Sequence, residues 1–141
     1  MKRTLLMSAT WIVVLNALVL LAHSAAHISL HILPMTIFDD LFIGIVIMIL
    51  PLVALFIIYN THLSRWGMLL LLLSMLSSLI YGLIHHFLLP GMDNVTNVGP
   101  EPWHLLFILT SYLQLPLQAA GTVVGIWALL SRRQAAMLGY K

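Results

Sequence analysis

The sequence contains no cysteine. A chain without thiols forms no disulfide, no CxxC redox pair and no thiolate metal site. Any metal that it binds must therefore be held by nitrogen, oxygen or thioether ligands.

Charge is also scarce, at 7% of the 141 residues, whereas hydrophobic residues make up 62%. An ordinary soluble domain carries about 25% charged residues, so this composition excludes a soluble globular protein. The 6 Lys and Arg residues are spread along the chain. They form no basic patch of the kind that phosphate binding needs, which excludes nucleic acid as a partner.

The chain instead contains long apolar segments, and each approaches or exceeds the roughly 20 residues that a helix needs to cross a bilayer. A lipid-exposed backbone must form its own hydrogen bonds, and the alternating strands of a barrel are missing. The sequence therefore predicts an all-α integral membrane protein, a four-transmembrane-helix bundle that forms one domain over residues 1–141. We expect spans at about 4–33, 41–59, 66–89 and 103–130. Pro34 should stop the first span, and Pro51 should bend the second.

The few charged residues predict the orientation. The side that holds both termini and the loop between the second and third spans carries Lys2, Arg3, Arg65, Arg132, Arg133 and Lys141. The other side carries Asp39, Asp40, Asp93 and Glu101. By the positive-inside rule, both termini are cytoplasmic, in a cell inner or plasma membrane. The basic start of the chain also fits a cleaved secretory signal, but the apolar run continues to Leu33, so we expect the first span to be retained.

Of the seven histidines, His62 falls on the cytoplasmic side and the other six fall at the outer ends of three spans. These six are His23, His27, His31, His85, His86 and His104. Residues four apart rotate only about 40° beyond a full turn, so a straight first helix places His23, His27 and His31 on one face. His85 and His86 point about 100° apart, so we do not expect the same role for both.

Neutral imidazole is the commonest metal ligand in proteins. We therefore predict a transition-metal site for copper, iron or zinc near the extracytoplasmic face. Its candidate metal ligands are His23, His27, His31, His85, His86 and His104, with Asp93 as an oxygen ligand or as an acceptor that orients the rings. Met35 and Met92 flank the site and would favour Cu(I) if they bound, although both are more typical of interfacial filling.

Haem b is the alternative cofactor, held axially by His23 or His27 together with His85. A haem needs only two histidines, so the surplus favours either two cofactors or a smaller, multi-histidine metal centre. The sequence assigns no catalytic residue, since it lacks HExxH, GxSxG, Walker and dinucleotide-binding motifs.

The predicted function is therefore metal-dependent chemistry in the lipid bilayer: electron transfer or quinol chemistry, metal handling, or oxidation of a small apolar substrate. If the protein is an enzyme, we expect a membrane metal-dependent oxidoreductase. Two alternatives stay open. One is a non-catalytic small subunit of a larger membrane complex, with histidines that coordinate haem or pigment or serve only structure. The other is a small transporter. The GTVVG stretch at 121–125 predicts close helix packing within the chain in preference to a homo-oligomer seam.

Overall fold

The structure is a computed structural model that describes residues 3–32, 36–60 and 62–137, without the side chains of 132–137. This part of the chain is all helical and contains no strand. Its four long helices are α1 (Arg3–Ser29), α2 (Ile37–Tyr59), α3 (Ser64–Leu88) and α4 (His104–Met137). Each contains a stretch long and apolar enough to cross a membrane, which confirms the predicted four-helix, all-α architecture. Lys2, Leu33, Pro34, Met35 and Lys141, to which the sequence assigned roles, lie outside the described residues.

The helices contact one another in the order α1, α4, α3, α2, and α2 returns to touch α1. Small residues allow the closest approaches. Gly121 and Gly125 of α4 lie against Met75 and Leu72 of α3, so the GTVVG stretch packs within the chain as predicted. Gly67 of α3 lies against the backbone of α2 at Ile58.

The first helix ends at Ser29, short of the Leu33 that the sequence suggested. His31 has a φ of 49°, the left-handed conformation that closes a helix. The N–H of His31 bonds to the carbonyl of Ile28, and the N–H of Ile32 bonds to the carbonyl of His27, both at 3.2 Å. This is the Schellman pattern, and it turns the chain away from the helix axis. The expectation that His31 continues the face of His23 and His27 is therefore corrected.

The second and third helices each contain a widened, π-helical stretch at the end nearest the 89–103 loop, which we call the loop end of the bundle. In α2 this stretch covers Phe42–Ile49 and directly precedes Pro51, whose missing N–H would otherwise interrupt a regular helix. In α3 it covers Ile84–Leu88. Such bulges often lie at functional sites, because they change the direction in which side chains point.

Two apolar clusters fill the bundle, one at each end. The larger includes Val13, Ile58, Met68 and Leu71, and the smaller, at the loop end, includes Ile32, Val95 and Phe107. Buried polar side chains occupy the intervening level, namely Asn16, His23, Ser74, Ser78, His86, Thr110, Ser111, Gln114 and Gln118. Polar side chains in membrane helices face the bundle interior, as these do.

The Gly67 contact yields a test of the packing. A Cβ at Gly67 would lie 2.7 Å from the Ile58 nitrogen and 2.9 Å from the Ala54 carbonyl oxygen, whereas a Cβ at Gly44 would meet nothing within 4 Å. We expect Gly67→Ala to lower the free energy of unfolding by about 1–3 kcal/mol, as overpacking does. Gly44→Ala is the matched control and should be neutral or slightly stabilising. Unfolding in mild detergent measures both, and equal stabilities would contradict the described contact between α2 and α3.

Candidate metal centre

Four side chains from three parts of the chain converge at the loop end. His23 and His27 come from α1, His86 from the last turn of α3, and Asp93 from the loop that follows. Each offers one potential ligand atom, and these atoms lie within 4.8 Å of one another. His23 and His86 are buried, and His27 and Asp93 are partly buried. We call this group the His/Asp cluster.

Asp93 lies between two imidazoles. Its Oδ1 is 2.8 Å from His27 Nε2 and 3.1 Å from His86 Nδ1. Although these atoms are close, neither Asp93 oxygen receives a donor in hydrogen-bond geometry. Burial raises the pKa of the Asp93 carboxyl, but the two imidazoles next to it outweigh burial and hold that pKa well below its usual range. A carboxylate that is ionised and keeps its lone pairs is suited to bind a cation.

His23 is oriented by Thr110 of α4. The Thr110 hydroxyl donates to main-chain carbonyls of its own helix, at 2.6 Å to Leu106 and 3.0 Å to Phe107. Its oxygen is therefore the acceptor for His23 Nδ1, at 2.9 Å. A proton on Nδ1 leaves Nε2 as the nitrogen with the lone pair, and this buried Nε2 has no hydrogen-bond partner.

His86 is oriented in the same manner by the main chain. Its Nδ1 lies 3.0 Å from the carbonyl oxygen of Asp93, which can only accept, so Nδ1 carries the proton. Histidines that bind metals in proteins almost always donate their second ring N–H to a carbonyl or carboxylate. His86 has such a partner in the Asp93 carbonyl, and His23 has the Thr110 hydroxyl in the corresponding place, so each ring and its tautomer are fixed.

An aromatic side chain closes one side of the cluster. The Phe107 ring centroid lies 5.0 Å from that of His23, 5.2 Å from that of His27 and 5.7 Å from that of His86. Phe107 is fully buried. It therefore excludes water from this side and lowers the local dielectric, which strengthens electrostatic interactions in the cluster.

The loop that carries Asp93 is held by Asn94. The Asn94 amide nitrogen donates to the Leu89 carbonyl at 2.9 Å, and its oxygen accepts from the N–H and the hydroxyl of Thr96 at 3.0 and 2.7 Å. The Val95 N–H bonds to the His86 carbonyl at 3.0 Å and ties the loop to α3. These bonds fix Asp93 above α1. The Asn94 side chain is buried, and its hydrogen bonds hold the loop in this conformation.

The other predicted ligands lie elsewhere. His85 stacks on Tyr81 with ring centroids 4.1 Å apart, and the Tyr81 hydroxyl donates to Asp39 at 3.0 Å. His31 lies at the turn after α1, and His104 begins α4. Over the described part of the chain, these three histidines do not join the His/Asp cluster. Their assignment as ligands stays a prediction.

The geometry also bears on haem. His23 and His27 face His86 across the cluster, with ring centroids 4.8 and 5.9 Å apart, while His85 faces Tyr81 instead. The His85 pairing that a haem would require is thus not formed in the described residues. His85 and His86 point in different directions, as their spacing predicted: His86 faces the cluster and His85 faces Tyr81. The difference in role stays a prediction.

A cavity of about 410 Å³ lies beside the cluster, between α1, α2, α3 and α4. His23, His27, His86 and Asp93 all contribute to its lining. Its size is that of a small-molecule site, since such sites in proteins measure about 300–1,000 Å³.

Comparison with models of known protein families, with curated proteins and with solved structures found no match to this chain. The chemistry of the site therefore carries the functional argument alone.

The lowered pKa of Asp93 predicts a pH-dependent stability for the metal-free protein. Because the pKa is lower in the folded state, the stabilising contribution is complete above the unfolded value of about 3.9 and is lost as the pH falls through the folded value. We expect the wild type to exceed Asp93→Asn in free energy of unfolding at neutral pH. The difference should shrink below a pH of about 4. Unfolding in detergent with a chelator present measures it, and a constant difference down to a pH of about 2 would contradict the described environment.

Proposed function

We propose that this protein is an integral membrane protein that holds one transition-metal ion at His23, His27, His86 and Asp93. The observation that carries the proposal is the convergence of three imidazoles and one carboxylate within 4.8 Å. A buried histidine nitrogen and both carboxylate oxygens there lack hydrogen-bond partners. Buried polar atoms in proteins are normally paired, so unpaired atoms gathered in one cluster favour a bound cation.

The ligand set favours copper, iron or zinc. Imidazole suits all three, and a carboxylate fits iron and zinc well. Four ligands complete a tetrahedral zinc site. Among thioethers, Met92 is 62% exposed, which argues against its use as a Cu(I) ligand.

The adjoining cavity favours a reactive centre over a purely structural one. A bound ion of this class supplies a Lewis acid or, as copper or iron, a one-electron carrier. The chain contributes the rest. Asp93 neutralises part of the charge of the ion, Thr110 and the Asp93 carbonyl orient the imidazoles, and Phe107 excludes water. We infer electron transfer or oxidation of a small molecule as the activity.

We place this centre near the extracytoplasmic face of a cell inner or plasma membrane. Arg3 and Arg65 lie at the end of the bundle opposite the His/Asp cluster, where α1 and α3 begin, while Asp93 and Glu101 lie in the 89–103 loop. The positive-inside rule assigns the arginine end to the cytoplasm.

Single substitutions test the ligand assignment. We expect His27→Ala and Asp93→Ala each to weaken Zn²⁺ binding more than about 100-fold, since loss of even an outer partner costs 10–100-fold. His85→Ala is the matched control, because it removes an imidazole next to His86 that lies outside the cluster. Metal content of purified protein and competition with a chromogenic chelator measure the effect.

Unfolding of each variant with a chelator present separates loss of metal from loss of fold. An affinity that falls equally in His85→Ala and His27→Ala would contradict the four-residue centre and support the wider ligand set. A Soret band in the purified protein would contradict the non-haem assignment.

The proposed orientation can be tested with single-cysteine variants, because the chain itself has no cysteine that would react with the label. We expect Asn97→Cys, in the exposed part of the 89–103 loop, to react with a membrane-impermeant maleimide in intact cells. His62→Cys, in the loop between α2 and α3, should react only after the cells are opened. The reverse pattern would place the His/Asp cluster on the cytoplasmic side.

A further inference from the structure

The cavity beside the His/Asp cluster has apolar walls. Leu20 of α1 and Ile43, Ile47 and Met48 of α2 line it. An apolar wall inside a membrane protein favours a ligand with an apolar body, because such a ligand loses nothing on leaving the lipid and gains close packing.

The end of the cavity at the cluster is rich in acceptors. Asp93 and Asp40 both line it, and each contributes a carboxylate. Tyr81 lines it as well, with its hydroxyl proton engaged by Asp39. This end therefore favours a hydroxyl, which donates a hydrogen bond and offers its oxygen to a metal.

The inner part of the cavity presents the opposite chemistry. Gln114 of α4 lines it and is only 5% exposed, and its Nε2 has no acceptor. A buried donor without a partner is costly, so a ligand with an acceptor oxygen at this point is favoured. Gln114 lies one turn below Thr110, the residue that orients His23. Four residues of helix rise about 6 Å, so the backbone of Gln114 lies about 6 Å further along the bundle than that of Thr110.

We propose that the cavity binds a lipid-soluble hydroquinone, a flat apolar ring with oxygen atoms on opposite sides. One hydroxyl lies at the His/Asp cluster, and the other oxygen accepts from Gln114. This inference rests on the proposed metal centre, of which it names the substrate class. A simple fatty alcohol would leave Gln114 unpaired, and a cationic amine would do the same.

Gly44 gives a means to block the cavity while sparing the cluster. It lines the cavity, and a Cβ built there meets nothing within 4 Å. Phe at this position can therefore extend into the space that the ligand would occupy. Ile45 is the matched control, since it is the next residue of α2, is 47% exposed and does not line the cavity.

The experiment uses the full chain in lipid nanodiscs loaded with Zn²⁺, which has no redox chemistry. Trimethylhydroquinone under argon is titrated by calorimetry, with trimethylphenol as a probe that has one oxygen and the same ring. We expect saturable binding of one hydroquinone per chain. Gly44→Phe should weaken it at least about tenfold, as filling a site does, while Ile45→Phe should not change it. Gln114→Leu should weaken hydroquinone roughly fivefold, as loss of one hydrogen bond does, and leave the phenol unchanged.

Zinc content, measured on the same samples, separates the two proposals. If the wild-type protein retains no Zn²⁺ after loading, the proposed metal centre is contradicted. If the wild-type protein retains Zn²⁺ but shows no saturable binding of hydroquinone, only the inference about the cavity is contradicted. Equal affinities for hydroquinone and phenol, or equal effects of Gly44→Phe and Ile45→Phe, also overturn it. If the Gly44→Phe variant loses Zn²⁺, the effect of Gln114→Leu on hydroquinone binding tests the inference instead, and an unchanged affinity overturns it.

Discussion

A carboxylate that is largely withdrawn from water costs several kcal/mol unless cations or hydrogen-bond donors surround it. Asp93 is in this position, held between His27 and His86 at the end of an apolar bundle. Its location depends on the loop that Asn94 ties to α3, and the loop in turn covers the end of α1. The described packing at this end of the molecule therefore brings a buried charge together with two imidazoles that stabilise it, and a metal ion would stabilise that charge further.

Helix ends and irregularities decide which histidines share this charge. The Schellman turn at His31 directs that residue away from the face of His23 and His27. The widened last turn of α3 accompanies the inward orientation of His86, while His85 stacks outside on Tyr81. The polar layer deeper in the bundle continues from the cluster toward Gln114. The proposed metal centre and the neighbouring cavity thus share one set of buried polar side chains.

Much of the fold could be predicted from the sequence, because the thickness of the hydrocarbon core sets the length of apolar helix that crosses it. All four members of the His/Asp cluster were among the predicted ligands, since charge segregation sorted His23, His27, His86 and Asp93 to one end. The selection among seven candidates could not be predicted. In the structure, the buried stripe of Ser74 and Ser78 continues in steps of four through Gly82 to His86, and His85 lies beside this stripe.

The roles of the residues that support the cluster could not be predicted from the sequence either. Thr110 and Phe107 look like ordinary helix positions, and only tertiary packing shows that they orient and cover His23. The role of Asn94 depends on a loop conformation that no periodicity encodes. His31 adopts a left-handed conformation usually taken by glycine, so the residue type gave no warning of the helix end.

X-ray absorption spectroscopy of the purified protein loaded with Zn²⁺ tests the central claim most directly. The account predicts four nitrogen or oxygen ligands at about 2.0–2.2 Å, with the outer-shell scattering of three imidazoles. Asp93→Asn should retain the imidazole scattering and change the oxygen contribution. A site with sulfur scattering at about 2.3 Å, or with fewer than three imidazoles, would contradict a metal centre at His23, His27, His86 and Asp93.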